Sequence, residues 1–483
     1  MAQDERLSVD LYIDGEWRPA RSGARFDLID PAREEVVGTA ARASADDTRD
    51  AIAAAVRGFE VWRRTPAWER SKMLRRIAGL LAERAEKVAR QIAIETGKTL
   101  AVCRGEVGST VECLEWFADE ARRIYGQVIE GRVPGQQFLT RYEPVGVVGA
   151  FTAWNFPVSL VARKFAPALA AGCSIVVRPA EEGTGAVSML IECVEEAGLP
   201  KGVLNMLSGP PSEISETIMD ADEVRKVTFT GSIPVGQHLM RRAADTVKRM
   251  SMELGGHGPV IVFDDVDVEN VVKQAVTTKF RATGQVCVSP TRFFVQEKVA
   301  GRFADRFAEM ASGLKLGHPL DPDTDVGPLI SRKRLDAIEG MVAATEAAGA
   351  RLMTGGRRPA GMNRGYFFEP TVFGDIADDA PLMTDEPFGP IAAMTSFGDV
   401  DEALERANSL RYGLAGYVFT RDMRRAQAAL EGLDTGIVAV NAFQAATAEA
   451  PFGGVKHSGF GRENGAQGML DYLDVKFVNM MAG

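Results

Sequence analysis

Between Val145 and Phe263, short β-rich runs alternate with helical ones, and this alternation limits the fold more than any other feature of the chain. VGVVGAFT is followed by a helical stretch to Ala171, then SIVVR, the helix TGAVSMLIECVEEAG, and the runs VLNML, KVTFT and PVIVF. Strands separated by helices in this way form βαβ units on a mostly parallel sheet, so a doubly wound α/β domain is expected. The second half repeats the theme. GRFADRFAEMASGLKLG, SRKRLDAIEGMVAATEAAG and DEALERANSL read as amphipathic helices, and FFVQ, YFFEPTVF, AAMTSF, GYVFT and GIVAV as strands. A second α/β domain is therefore expected, and 483 residues accommodate two to four domains. Ahead of both, helical spacing runs from Ser44, an N-cap candidate, to Gly126. The segment QVIEGRVPGQQFLTRYEP then reads as a β-hairpin.

Several function classes drop out on composition. The net charge is −10 without a long like-charge block, so nothing draws the molecule to nucleic acid or anionic lipid. Five cysteines without a CxxC pair are no disulfide framework and fit a reducing, cytoplasmic setting. Four scattered histidines lack metal-ligand spacing, so no metal is expected. The start, MAQDERLSVD, does not read as a secretory signal. Pro144 to Ala162 is nineteen residues without a charge. Its Asn155, prolines and glycines argue for a buried strand, a turn and a helix start, not a membrane span.

Three side chains stand out for chemistry. Cys287, in the loop RATGQVCVSP, follows a helix running from about Asp267 with Gly284 as its stop. There it reads either as a nucleophile or as a small buried hydrophobe. Glu253, in SMELGGHGP, ends a strand between apolar neighbours, where burial would raise its pKa toward that of a general base; an ion pair or a cap contact is the alternative. Asn155, in the turn TAWNFP, either donates to an oxyanion or serves the turn backbone. No GxGxxG opens a helix after a strand. The loops SGPPSEISE and FTGSIPVG remain as diphosphate candidates, and Glu181 after SIVVRPA as a ribose acceptor.

In order and spacing, TAWNFP, VVRPAE, FTGS, MELGG, GQVC, EPFGP and PFGGVKHSGFGRE resemble the aldehyde dehydrogenase superfamily over nearly the whole chain. The resemblance implies an NAD-binding Rossmann-type domain (1–124 and 144–254), an α/β catalytic domain (255–455) and a small β oligomerisation arm (125–143 and 468–483). A homodimer or homotetramer would follow. It makes Cys287 the nucleophile, Asn155 the oxyanion donor, Glu253 the base for thioester hydrolysis and Lys164 a supporting residue. Trp154, Arg178, Glu181 and Ser232 would hold the adenosine and diphosphate half of the cofactor, and Glu386 and Phe388 the nicotinamide ribose. Arg178 stands where lysine is usual, and Gly209, Pro210 and Pro211 replace a more glycine-rich loop. Glu181 repels a 2′-phosphate whereas Arg178 partly offsets that repulsion, so NAD is expected, with NADP as the alternative.

Within the superfamily the chain is most similar to succinate-semialdehyde and 2-oxoglutarate-semialdehyde dehydrogenases, through FADEARRIYG, NFPVSLVARK, KFRATGQVCVSPTRF and GLAGYVFT. The resemblance assigns Arg163 and Arg281 to the far carboxylate of an aldehyde substrate, with Thr447 as a nearby hydroxyl. A guanidinium pairs bidentately with a carboxylate. A solvated helix face for Arg163 and a helix C-terminus for Arg281 are the alternative roles. Neutral aliphatic or aromatic aldehydes are the alternative substrates. A CoA-acylating enzyme and a thiol hydrolase using Cys287 and Glu253 are the more distant ones.

Overall fold

The computed structural model describes residues 7–482. The first domain is built on a sheet with five parallel strands: β1 (Val147–Phe151), β2 (Ser174–Arg178), β3 (Leu204–Met206), β4 (Val224–Thr230) and β5 (Arg249–Glu253). Helices α1 (Pro157–Ala171), α2 (Thr184–Ala197), α3 (Pro211–Asp220) and α4 (Ile233–Asp245) make the crossovers. The order across the sheet is β5, β4, β1, β2, β3. Beyond β3 an antiparallel hairpin of Leu11–Ile13 and Glu16–Arg18 extends the sheet, and Gly459–Phe460 closes the opposite edge against β5. The strands are buried on both faces. Val148, Ala150, Ile175 and Val177 pack into one core, and Val147, Phe151 and Val176 into the other. Near-continuous apolar runs such as SIVVR follow from that double burial.

The second domain carries β6 (Gly258–Val262), β7 (Pro290–Gln296), β8 (Thr371–Gly374), β9 (Ile391–Phe397), β10 (Ala415–Phe419) and β11 (Ile437–Val440). These lie parallel in the order β8, β9, β7, β6, β10, β11, with Arg351–Thr354 antiparallel on the β8 edge. A third sheet joins Val128–Glu130, Gln136–Pro144 and Leu473–Met481, the last two in register from Leu473 opposite Pro144 to Met481 opposite Gln136. Ser44 caps the helix Ala45–Trp62 in a capping box: its hydroxyl accepts from Asp47 N at 3.3 Å, and Asp47 accepts from Ser44 N at 2.9 Å.

Two expectations need correction. YFFEPTVF contributes a strand only from Thr371, because Pro370 has no N–H to give to a ladder. The helix before Cys287 ends at Phe280, not at Gly284. Ala282 and Thr283 turn left-handed (φ 50° and 57°) and Gly284 follows at 69°. The small N-terminal sheet of Leu7–Val9, Arg25–Asp30 and Glu35–Ala41, and the hairpin on β3, had no reading in the sequence. Among the described residues no helix is long and apolar enough to cross a membrane, and no group of three or more His, Cys, Asp or Glu could hold a metal ion.

Candidate active site

The strand order explains why distant motifs meet. The chain runs from β1 outward through β2 and β3, then returns to lay β4 on the other side of β1. Crossovers leave in opposite directions on the two sides of such a switch point, opening a crevice at the carboxyl ends of the strands. Trp154 and Asn155 follow β1, Gly231 and Ser232 follow β4, and Glu253 ends β5. All five line one cavity of about 720 Å³.

Cys287 reaches the same cavity from the second domain. The linker from Glu253 to β6 passes against the loop that carries it. A Cβ added to Gly256 would lie 2.6 Å from the Cys287 carbonyl oxygen, and one added to Gly255 would lie 2.3 Å from Glu386 Oε2. The two glycines of MELGG therefore allow backbone, Cys287 loop and Glu386 to close on one another. The left-handed turn at Ala282 and Thr283 costs conformational energy. Thr283 Oγ1 donates to Gly327 O at 3.0 Å, and Gln285 Oε1 accepts from Ile330 N at 3.0 Å, which tie the turn down. Asn155 Nδ2 donates to Gln285 O at 3.1 Å, so its amide is held against the Cys287 loop while its Oδ1 has no partner.

The electrostatics favour the neutral forms of both Glu253 and Cys287 near pH 7. Burial, with the charge of Glu463 next, pushes Glu253 up to about 8, and its Oε1 has no hydrogen-bond partner. Burial, with the Glu253 carboxylate next, pushes the Cys287 thiol up to about 12. Desolvation here outweighs the arginine and lysine charges nearby. The surroundings alone do not activate the thiol. Lys164, on α1, is buried and forms an ion pair with Glu463.

The residues expected to hold a dinucleotide separate into two groups. Trp154 and Phe388 meet edge to face at 5.4 Å and, with Ser232 and Glu386, line the cavity. Glu386 accepts from Gly256 N at 3.2 Å, and burial raises it to about 7. Arg178 ends β2 and Glu181 follows it, one strand away from the crevice, and neither is among its lining residues. Arg178 is buried, and its Nε and Nη2 donate to Gly209 O at 3.3 and 2.7 Å, so the guanidinium is spent on the loop rather than aimed outward. These positions fit a dinucleotide. Ser232 does not cap its own helix with its side chain, and the neighbouring Thr230 Oγ1 is buried without a partner, so both face the crevice with hydrogen-bonding capacity to spare at the N-terminus of α4.

Arg163 and Arg281 both line the cavity, and neither has a carboxylate partner among the described residues. Arg163 lies 5.1 Å from the Phe452 ring centroid. Arg281 is open to the cavity while the surrounding walls desolvate it and lower its pKa. Thr447 instead lines an adjoining cavity, and its carbonyl accepts from Asn464 Nδ2 at 2.9 Å. One cluster escaped the sequence reading. Lys98 and Glu106 form a buried ion pair, Lys98 Nζ donates to Asn155 O at 2.5 Å, and Glu106 Oε1 accepts from Val158 N at 3.0 Å and Ser159 N at 3.2 Å. The pair grips both ends of the turn that presents Asn155. Its signal was a glutamate on the apolar face of a helix, beside Cys103, Val107 and Thr110.

Comparison with known proteins agrees with this geometry. The aldehyde dehydrogenase family profile matches residues 17–478. A 4-(hydroxymethyl)benzenesulfonate dehydrogenase of Comamonas testosteroni is 43% identical over 98% of both chains. A 3-sulfolactaldehyde dehydrogenase of Pseudomonas putida is 41% identical over 98% of this chain and 97% of its own. The crystal structure of a succinate-semialdehyde dehydrogenase from Burkholderia pseudomallei superposes over 100% of both chains with a TM-score of 0.97 at 40% identity. The chain belongs to the aldehyde dehydrogenase family.

Proposed function

We infer that this oxidoreductase converts an aldehyde bearing a distant anionic group into the carboxylic acid, with NAD(P) as hydride acceptor. The observation that carries the reading is one cavity lined by Cys287, Glu253 and Asn155 together with two arginines that have no carboxylate partner among the described residues. Cys287 releases its proton to solvent water, and the thiolate Sγ adds to the aldehyde carbon. The Asn155 amide, released from Gln285 O, donates to the resulting oxyanion; removing one such donor costs ~10²–10³ in rate. Trp154, Ser232, Glu386 and Phe388 would hold a nicotinamide, which would serve as the hydride acceptor of the oxidation. Glu253 then takes a proton from the water that cleaves the Cys287 thioester, and the acid leaves. Splitting the reaction at a covalent thioester makes each half easier than direct oxidation.

The unpaired guanidiniums of Arg163 and Arg281 support the anionic substrate class. The compared relatives, named for sulfonated compounds and for succinate semialdehyde, share that feature. Succinate semialdehyde and 2-oxoglutarate semialdehyde are the carboxylated candidates. Arg178, turned onto Gly209 O, and Glu181 beside it favour NAD over NADP. The sheet of Val128–Glu130, Gln136–Pro144 and Leu473–Met481, with Val128, Ile129, Val475 and Phe477 exposed, supports an oligomerisation arm in a homodimer or homotetramer.

The test is reduced-nicotinamide formation with succinate semialdehyde and with uncharged butanal. Turnover should favour the acid, disappear in Cys287→Ala, and lose its preference in Arg163→Met and Arg281→Met. Equal losses on both substrates in the arginine variants reject anion recognition.

A further inference from the structure

One wall of the cavity is the helix Leu100–Glu120, whose Ala101, Gly105 and Ser109 stand above one another at four-residue spacing. Gly105 sits inside the helix, where glycine weakens helical structure relative to alanine. A Cβ built there meets no atom within 4 Å, so no neighbour demands the missing side chain. What the glycine provides is room. Phe156, Leu160, Phe443 and Phe452 supply apolar walls to the same space. Asn155 Oδ1 and Glu253 Oε1, on buried residues lining it, have no partners, so this space is built to receive a ligand. Arg163 stacks on Phe452 and borders a second cavity of about 560 Å³, which shares Ser109, Arg163, Gln444 and Ala446 with the first.

We propose that this passage is shaped for an aldehyde carried on an aromatic ring whose anionic substituent reaches Arg163, and that Gly105, by its missing side chain, sets the preference for the ring over a short aliphatic chain. The proposal rests on the anionic-aldehyde reading above and narrows it. An apolar cavity of about 150 Å³ is enough to hold a benzene ring, and the first cavity, at about 720 Å³, has that room. A short aliphatic chain leaves the space along Gly105 unused.

The experiment compares kcat/KM for 4-carboxybenzaldehyde, benzaldehyde and succinate semialdehyde in the wild type, Gly105→Ala, Gly105→Leu and Arg163→Met. The wild type should favour 4-carboxybenzaldehyde over succinate semialdehyde by about tenfold or more. Gly105→Leu should lower the aromatic value roughly 10–200-fold, the range one or a few carbons command in an apolar pocket, while the aliphatic value changes by less than about threefold. Gly105→Ala should show a smaller loss in the same direction, which keeps the test sound should leucine disturb the helix. A wild-type preference for succinate semialdehyde, or equal losses on ring and chain in the glycine variants, overturns the proposal. If Arg163→Met keeps the wild-type ratio of 4-carboxybenzaldehyde to benzaldehyde, the assignment of the anion to Arg163 is overturned, whatever the glycine variants show.

Discussion

Replacing Glu253 by glutamine keeps the shape of the side chain and removes its capacity to take a proton. With its carboxyl raised to about 8 by burial and by Glu463, about one-tenth is ionised at pH 7, half at pH 8 and about nine-tenths at pH 9. A thioester hydrolysis that depends on the ionised form should therefore speed up about tenfold between pH 7 and pH 9. In Glu253→Gln that rise should vanish, and hydrolysis should fall by ~10²–10⁴, the usual worth of a positioned base. Rapid-mix single turnover separates the steps: the variant should give a burst of reduced nicotinamide followed by slow release of acid, with the acyl group trapped on Cys287 visible by mass. Stability gives a second readout with a determined sign. The folded state holds a proton that the unfolded carboxyl releases from its ordinary value upward, so stability is lost as pH rises from the ordinary carboxylate value through about 8 and levels off above it. The glutamine variant escapes this loss and should gain over the wild type between pH 6 and pH 9, by on the order of a few kcal/mol. A variant that releases acid within threefold of the wild-type rate, with the same pH profile, refutes the assignment of Glu253 as base.

Asn155→Ala should slow thioester formation ~10²–10³-fold, and by leaving Gln285 O unpaired should cost about 1–3 kcal/mol of stability, read by denaturant unfolding. Lys98→Met strands the buried Glu106 carboxylate and should destabilise by about 3–5 kcal/mol; Lys98→Met with Glu106→Gln should recover much of that, and failure to do so speaks against the pairing. Gly256→Ala pushes a methyl toward the Cys287 carbonyl and should cut kcat by ~10² through displacement of the nucleophile, while circular dichroism stays that of the wild type.

Much of the architecture was legible in local order. SIVVR, KVTFT and PVIVF are strands because both faces of each are buried, and a continuous β-branched run records that directly. Ser44 and Asp47 announce a helix start by their own hydrogen bonds. YFFEP, by contrast, has strand composition but a proline that no ladder accepts, and the left-handed turn at Ala282 and Thr283 contradicts local preference, being paid for by contacts to Gly327 and Ile330 that lie over forty residues away.

The residue types of the chemistry, a thiol, a carboxyl and an amide in separate segments, and the alternation that demands a parallel sheet, belong to the amino-acid sequence by itself. Their convergence belongs to tertiary structure. Only the strand order, with β4 returning beside β1, opens the crevice, and only the close passage of Gly255 and Gly256 brings Cys287 and Glu386 to it. The proton affinities follow the same division. Burial is a property of everything packed around a group, so the raised values of Glu253 and Cys287 and the unpaired state of Arg163 and Arg281 arise when two domains close over them, which no run of neighbours along the chain encodes.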